Sequence, residues 1–180
     1  MAYRETVLQP YRCADEIQGQ RGSRLRVGVR LAIDLGSARI GVATSDPDGL
    51  LASPLTTVMR GRGDLDALTG LAIGHEVIEV IVGLPTGLSG REGAAAAGAR
   101  EFAGRLAGRL APIPVRLVDE RFTTVIAHDA LRRGGRRSRD RRSVVDKTAA
   151  ALLLQGALDR ERLTGRAAGE IAEPDGGGQA

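Results

Sequence analysis

The stretch VIEVIVGLP, Val77–Pro85, constrains the fold of this chain more than any other. It is apolar and β-branched, and Gly83 and Pro85 stop it at strand length. A strand with apolar side chains on both faces must be covered on both faces, which predicts an α/β sheet flanked by helices. The rest of the chain alternates accordingly. RLAIDL and IGVATSD read as two short strands joined by GSAR, whose Gly and Ser suit a hairpin turn. A third short strand is expected around Thr56–Met59, and DLDALTGLAIGHEV has helical spacing. Ala94, Ala97, Phe102, Leu106 and Leu110 then recur at helix-like intervals until Pro112 and Pro114 end the pattern. VRLVDE alternates as a strand. TTVIAHDALRR and VVDKTAAALLLQGALDRERL read as two further helices, separated by an irregular GGRRSRDRR.

An antiparallel opening hairpin followed by βαβ units and a closing helix predicts an α/β domain of RNase H-like order. Its sheet should be mixed, with helices on both faces. At 180 residues the chain has length for one such domain. Without Trp, its core must come from Leu, Val, Ile and Ala. Residues 1–26 are expected to be a disordered leader, 27–164 the domain, and the low-complexity 165–180 a disordered tail. No apolar run nears the roughly 18 residues of a membrane span, no signal-peptide core opens the chain, and Cys13 is alone. A cytoplasmic protein is the expectation. The formal net charge of +4 favours an anionic partner. Because only Lys147 among 26 basic residues is lysine, an arginine bias of GC-rich coding also contributes, and clustering carries more weight than number.

Three carboxylates stand where elements begin or end. Asp34 interrupts an apolar strand with no basic neighbour, so it must be paired, solvated at the strand end, or bound to a cation. Glu120 ends VRLVDE, where ligands gather outside the carboxyl ends of parallel strands. Asp146 is expected in the first turn of the last helix. Hard cations such as Mg²⁺ or Mn²⁺ take carboxylate oxygens, and a set of this kind suits metal-assisted phosphodiester hydrolysis. Plainer readings exist: Ser143 and Asp146 fit a capping pattern, and Glu120 could be a strand-end surface charge.

The segment Arg132–Arg142 carries seven arginines (132, 133, 136, 137, 139, 141 and 142) against one aspartate. With Gly134 and Gly135 it reads as a flexible loop whose guanidinium forks match phosphate oxygens, although a solvated charge run is the plain alternative. Arg39 and Arg121 are further candidates for phosphate contact. Gly36 and Gly83 could let backbone approach a substrate closely, and ordinary turns explain them as well. Thr123 and Thr124 fit helix caps, and His75 and His128 lack partners at metal spacing.

Taken together, AIDLGSARIGVA, EVIVGLP, VDERFTT and VVDKTAAALLLQ resemble, in order and spacing, the YqgF/RuvX family of RuvC-like, RNase H-fold proteins. The resemblance covers about Leu31 to Asp159. It implies acidic catalytic and metal-binding roles for Asp34, Glu120 and Asp146, with Mg²⁺ or Mn²⁺. It also implies a nuclease, acting in 5′-end maturation of pre-16S ribosomal RNA or, alternatively, on Holliday junctions. A monomer or homodimer on nucleic acid is expected, with no membrane partner. DLGSARIGVA is also similar to the phosphate hairpin of sugar kinases and actin-like ATPases. Those enzymes close two such domains around a nucleotide, and this chain has length for one. A binding module without catalysis is the remaining alternative; the three carboxylates argue against it.

Overall fold

The computed structural model describes residues 26–86, 93–120 and 139–175. The strands are β1 (Arg30–Leu35), β2 (Arg39–Ser45), β3 (Ala52–Met59), β4 (Glu79–Leu84), β5 (Val115–Asp119) and β6 (Glu170–Ile171). The helices are α1 (Asp64–Gly74), α2 (Ala94–Leu110) and α3 (Arg139–Thr164). The strands form one sheet in the order β3-β2-β1-β4-β5-β6. β1–β2, β2–β3 and β5–β6 run antiparallel, whereas β1–β4 and β4–β5 run parallel. This is the mixed, RNase H-like α/β sheet expected from the sequence.

The two faces follow from strand alternation. Leu31 and Ile33 of β1, with Val80, Val82 and Leu84 of β4, pack in one cluster with Leu65 and Leu68 of α1 and Phe102 and Leu106 of α2. Ala32 and Ile81 point the other way, joining Val118 beneath Ala150, Leu154 and Leu158 of α3. All six residues of β4 are buried, as VIEVIVGLP requires. Arg30 and Asp34 stand at i−2 and i+2 from Ala32, so both belong to the α3 face.

Several expectations need correction. β3 begins at Ala52, four residues before the sequence signal, because the edge position tolerates Pro54 and a bulge between Val42 and Ala43 re-registers the pair. In α2 the buried stripe runs through Ala96, Ala99, Phe102, Ala103, Leu106 and Leu110, leaving Ala94 and Ala97 exposed. α3 begins at Arg139, so part of the supposed irregular separator is helical. The chain beyond Gly165 is also structured as far as residue 175. β6 pairs with β5, Ala168 and Ala172 are buried, and Asp175 N–H donates to Gly104 O at 3.2 Å. Gly169, at φ 75°, lies where an added Cβ would sit 2.1 Å from Leu117 O. The helix expected from TTVIAHDALRR, with Thr123, Thr124 and His128, lies outside the described residues. No described helix is long and apolar enough to cross a membrane.

At the start of β1 the α3 face carries ions instead of apolar groups. Arg30, fully buried, pairs with Glu79 at 3.2 Å and with Glu161 of α3 at 3.1 Å. Arg26 reaches the same two carboxylates at 2.7 and 2.8 Å, and Arg116 adds a contact to Glu79 at 3.1 Å. Arg26 is thus a working part of the fold rather than the end of a leader. Burial opposes ionisation of Glu161, but the hydrogen bonds and charge of Arg26, helped by Arg30, outweigh it and hold this carboxyl below the usual range. A depressed folded pKa gives stability that is present above the unfolded glutamate pKa, about 4.3, and is lost as pH falls through the folded value. Urea midpoints measured from pH 7 to pH 3 should therefore fall more steeply below about pH 4.3 for the native chain than for Glu161→Gln. Parallel curves would remove Glu161 from the acid response.

Candidate functional site

The candidate carboxylates are carried to one end of the sheet by three separate elements. Asp34 is the fifth residue of β1 and is cross-strand from Gly41 of β2. Gly41 has no side chain for a steric reason: a Cβ there would lie 2.1 Å from the backbone oxygen of Asp146. The backbone of α3 is therefore pressed onto the strand pair where Asp34 sits. On the other side, Ile33 pairs with Val82, so Asp34 and Gly83 are the next residues along β1 and β4. A Cβ at Gly83 would lie 2.9 Å from Glu120 Oε1 and 3.2 Å from Leu153 of α3. The Glu120 side chain thus folds over the end of β4, on the α3 face. Two glycines let Glu120 and Asp146 settle on either side of Asp34.

This geometry gives Gly83 the task of making room for Glu120 and Leu153. Gly36 is a turn residue, since its N–H donates to Arg39 O at 2.9 Å and a Cβ would lie 2.5 Å from that oxygen. Asp146 is not in the first turn of its helix. α3 begins seven residues earlier, which also removes the capping reading, because an N-cap must stand outside the helix that Ser143 and Asp146 both occupy. Arg39, expected at phosphate, donates from Nε to Asp146 Oδ2 at 2.9 Å. The backbone of Arg139, Arg141 and Arg142 lies in the opening turns of α3, and their side chains fall outside the described part. Arg121, Arg132, Arg133, Arg136 and Arg137 lie outside the described residues.

Two site features escaped sequence reasoning. Gly41 had a signal, a lone glycine inside an apolar strand, which marks a bulge or a close backbone approach. Arg60 had none. Its guanidinium donates to Gly36 O at 3.3 Å and stacks 5.5 Å from the Phe102 ring centroid, bracing the β1–β2 turn.

Carboxylates are the hard oxygen donors that Mg²⁺ and Mn²⁺ take, so the donor set suits a divalent cation. Among the described residues, no group of three or more His, Cys, Asp or Glu side chains is drawn closely enough together to hold one. Asp146 is turned to Arg39 instead.

Fold and site define the class: an RNase H-like α/β domain that brings acidic residues to the strand ends of its sheet. Residues 28–160 match the family described as RuvX: Holliday junction resolvase, and the chain belongs to that family. A relative from Nocardioides sp. is 60% identical over 83% of this chain and 99% of its own length. One from Thermobifida fusca is 58% identical over 83% and 98%. Both carry the provisional name pre-16S rRNA nuclease. Among solved structures, Thermus thermophilus RuvC in complex with a Holliday junction substrate is similar at a TM-score of 0.49 and 13% identity, over 79% of this chain and 99% of that one.

Proposed function

We propose that this chain is a divalent-metal-dependent nuclease that hydrolyses phosphodiester bonds of structured nucleic acid, with a precursor of 16S ribosomal RNA as its substrate. The observation that carries this reading is the placement of Asp34, Glu120 and Asp146 at one end of the sheet, on its α3 face. The names of its relatives supply the substrate class. Asp34, Glu120 and Asp146 would hold one or two Mg²⁺ or Mn²⁺ ions. Such ions activate a water and stabilise the leaving oxygen of a phosphodiester. The chain's own part is to orient the three carboxylates and to hold the phosphate backbone.

For the latter the entry into α3 is well composed. Arg139, Arg141 and Arg142 precede Asp146 within the first turns of the helix, where the positive end of its dipole adds to their charge. Arg132, Arg133, Arg136 and Arg137 stand just before them in the sequence, and their charge suits sequence-independent phosphate contact. Arg121, next to Glu120, belongs with them.

The family description favours a second reading, cleavage of four-way DNA junctions. Purified protein is to be incubated with a 5′-extended 16S RNA precursor and with an immobile four-way junction, with Mg²⁺, with Mn²⁺ and with EDTA. Shortening of the RNA precursor only in the metal arms is the expected result. Cutting of the junction alone would transfer the assignment to DNA, and metal-independent or absent cleavage of both would overturn it.

A further inference from the structure

The carboxylates suited to a cation stand at one end of the sheet; among the described residues no three close around one, and Asp146 is engaged by Arg39. Arg39 opens β2 and is fixed by the ladder, since its neighbour Ile40 pairs with Leu35. Asp146 is fixed by the contact of its own backbone with Gly41. The pair is therefore not a chance meeting of two mobile surface chains. Both side chains are mostly withdrawn from solvent, 21% and 30% exposed, and they meet across 107 residues of sequence.

The chemistry of the pair makes it exchangeable. A guanidinium fork binds phosphate oxygens with the same donors it offers a carboxylate. A carboxylate binds Mg²⁺ or Mn²⁺ with the same oxygens it offers an arginine. A phosphate that takes Arg39 frees Asp146, and a cation that takes Asp146 frees Arg39. Each ligand thus removes the competitor of the other. We propose that Arg39 and Asp146 form an exchange pair that couples binding of a nucleic-acid phosphate to binding of a divalent cation, with Arg39 acting as the positioning residue of the metal site. The inference rests on the reading of Asp34, Glu120 and Asp146 as cation-holding groups. Because coupling is reciprocal, it appears equally in either affinity. A partly exposed ion pair sets its size at about 3- to 5-fold.

The test is Mn²⁺ titration of the full chain by calorimetry, alone and with a phosphorothioate-backbone RNA hairpin, the RNA's own Mn²⁺ uptake subtracted. In the native chain the hairpin should tighten Mn²⁺ binding about 3- to 5-fold. Arg39→Gln should bind Mn²⁺ more tightly than the native chain without RNA, and the hairpin should then add less than about twofold. Arg105→Gln removes an exposed charge from α2, which packs on the other face of the sheet, and it should keep the native coupling. Should Arg39→Gln melt early, Arg39→Lys replaces it; the point charge lacks the fork, and the coupling should again shrink. Native and Arg39→Gln chains with equal Mn²⁺ affinity and equal response to RNA would overturn the exchange pair alone. No Mn²⁺ binding by the native chain, or native-like binding by Asp146→Asn, would overturn the cation-site reading and the exchange pair together.

Discussion

On the proposed reading, Asp34→Asn should lower metal-dependent cleavage by about 10²–10³-fold, the scale on which loss of one group stabilising transition-state charge is felt. The change is nearly isosteric, so its effect is on charge. An amide cannot take the place of a carboxylate as an anionic ligand, and neither of the other two carboxylates stands on β1. The fold should survive. Asp34 is half-buried at the end of its strand, and its removal takes one negative charge away from a site that also receives Glu120 and Asp146. The melting temperature should stay within about 4 °C of the native value, because Asn keeps the volume and part of the hydrogen-bonding capacity of Asp34. Cleavage at the native rate would sink the assignment of Asp34. A collapse of stability with activity lost in proportion would make it a structural residue instead.

The second large effect lies at the opposite end of β1. Arg30→Ala leaves Glu79 and Glu161 buried with Arg26 and Arg116, each of which is partly exposed. Breaking a buried, hydrogen-bonded ion set by removing one partner costs about 3–5 kcal/mol. For a chain of this size that corresponds to a fall in melting temperature of about 6–20 °C. Arg30 also donates to Gly28 O and Arg26 O, at 3.0 and 2.8 Å, so the segment leading into the sheet loosens with it. Cleavage per folded molecule at low temperature should remain near native, because Arg30 begins the strand that Asp34 nearly ends. A melting temperature within 2 °C of native, by calorimetry, would show that water replaces the guanidinium without loss.

What the sequence disclosed divides along physical lines. Strand alternation was readable: Leu31 and Ile33 against Ala32 and Asp34, and the continuous apolar β4, need only the pleat and two covered faces. The acidic positions were readable because a carboxylate in an apolar strand, or at a strand end, is costly unless it is used. The start of α3 was not readable. Arginine-rich sequence looks like loop by charge, yet arginine is a good helix former, and the nearest glycines are at 134 and 135. β6 was not readable either, because two residues flanked by glycine become a strand only when the edge of β5 is there to pair with. Contacts between distant residues stayed hidden as a class. Nothing local in Arg39 announces Asp146, nor anything in Arg30 that it will lie under Glu161.

The helix α3 carries Asp146 near one end and Glu161 near the other, about 22 Å apart along its axis. Mechanically it is a beam with two fixings: its backbone rests on Gly41 at the first, and its carboxylate is clasped by Arg26 and Arg30 at the second. The two fixings divide their work: the clasp at Glu161 holds the helix against the sheet, while the seat on Gly41 alone sets the height of Asp146. Loosening the clasp is therefore felt in melting before it is felt at the end that carries Asp146.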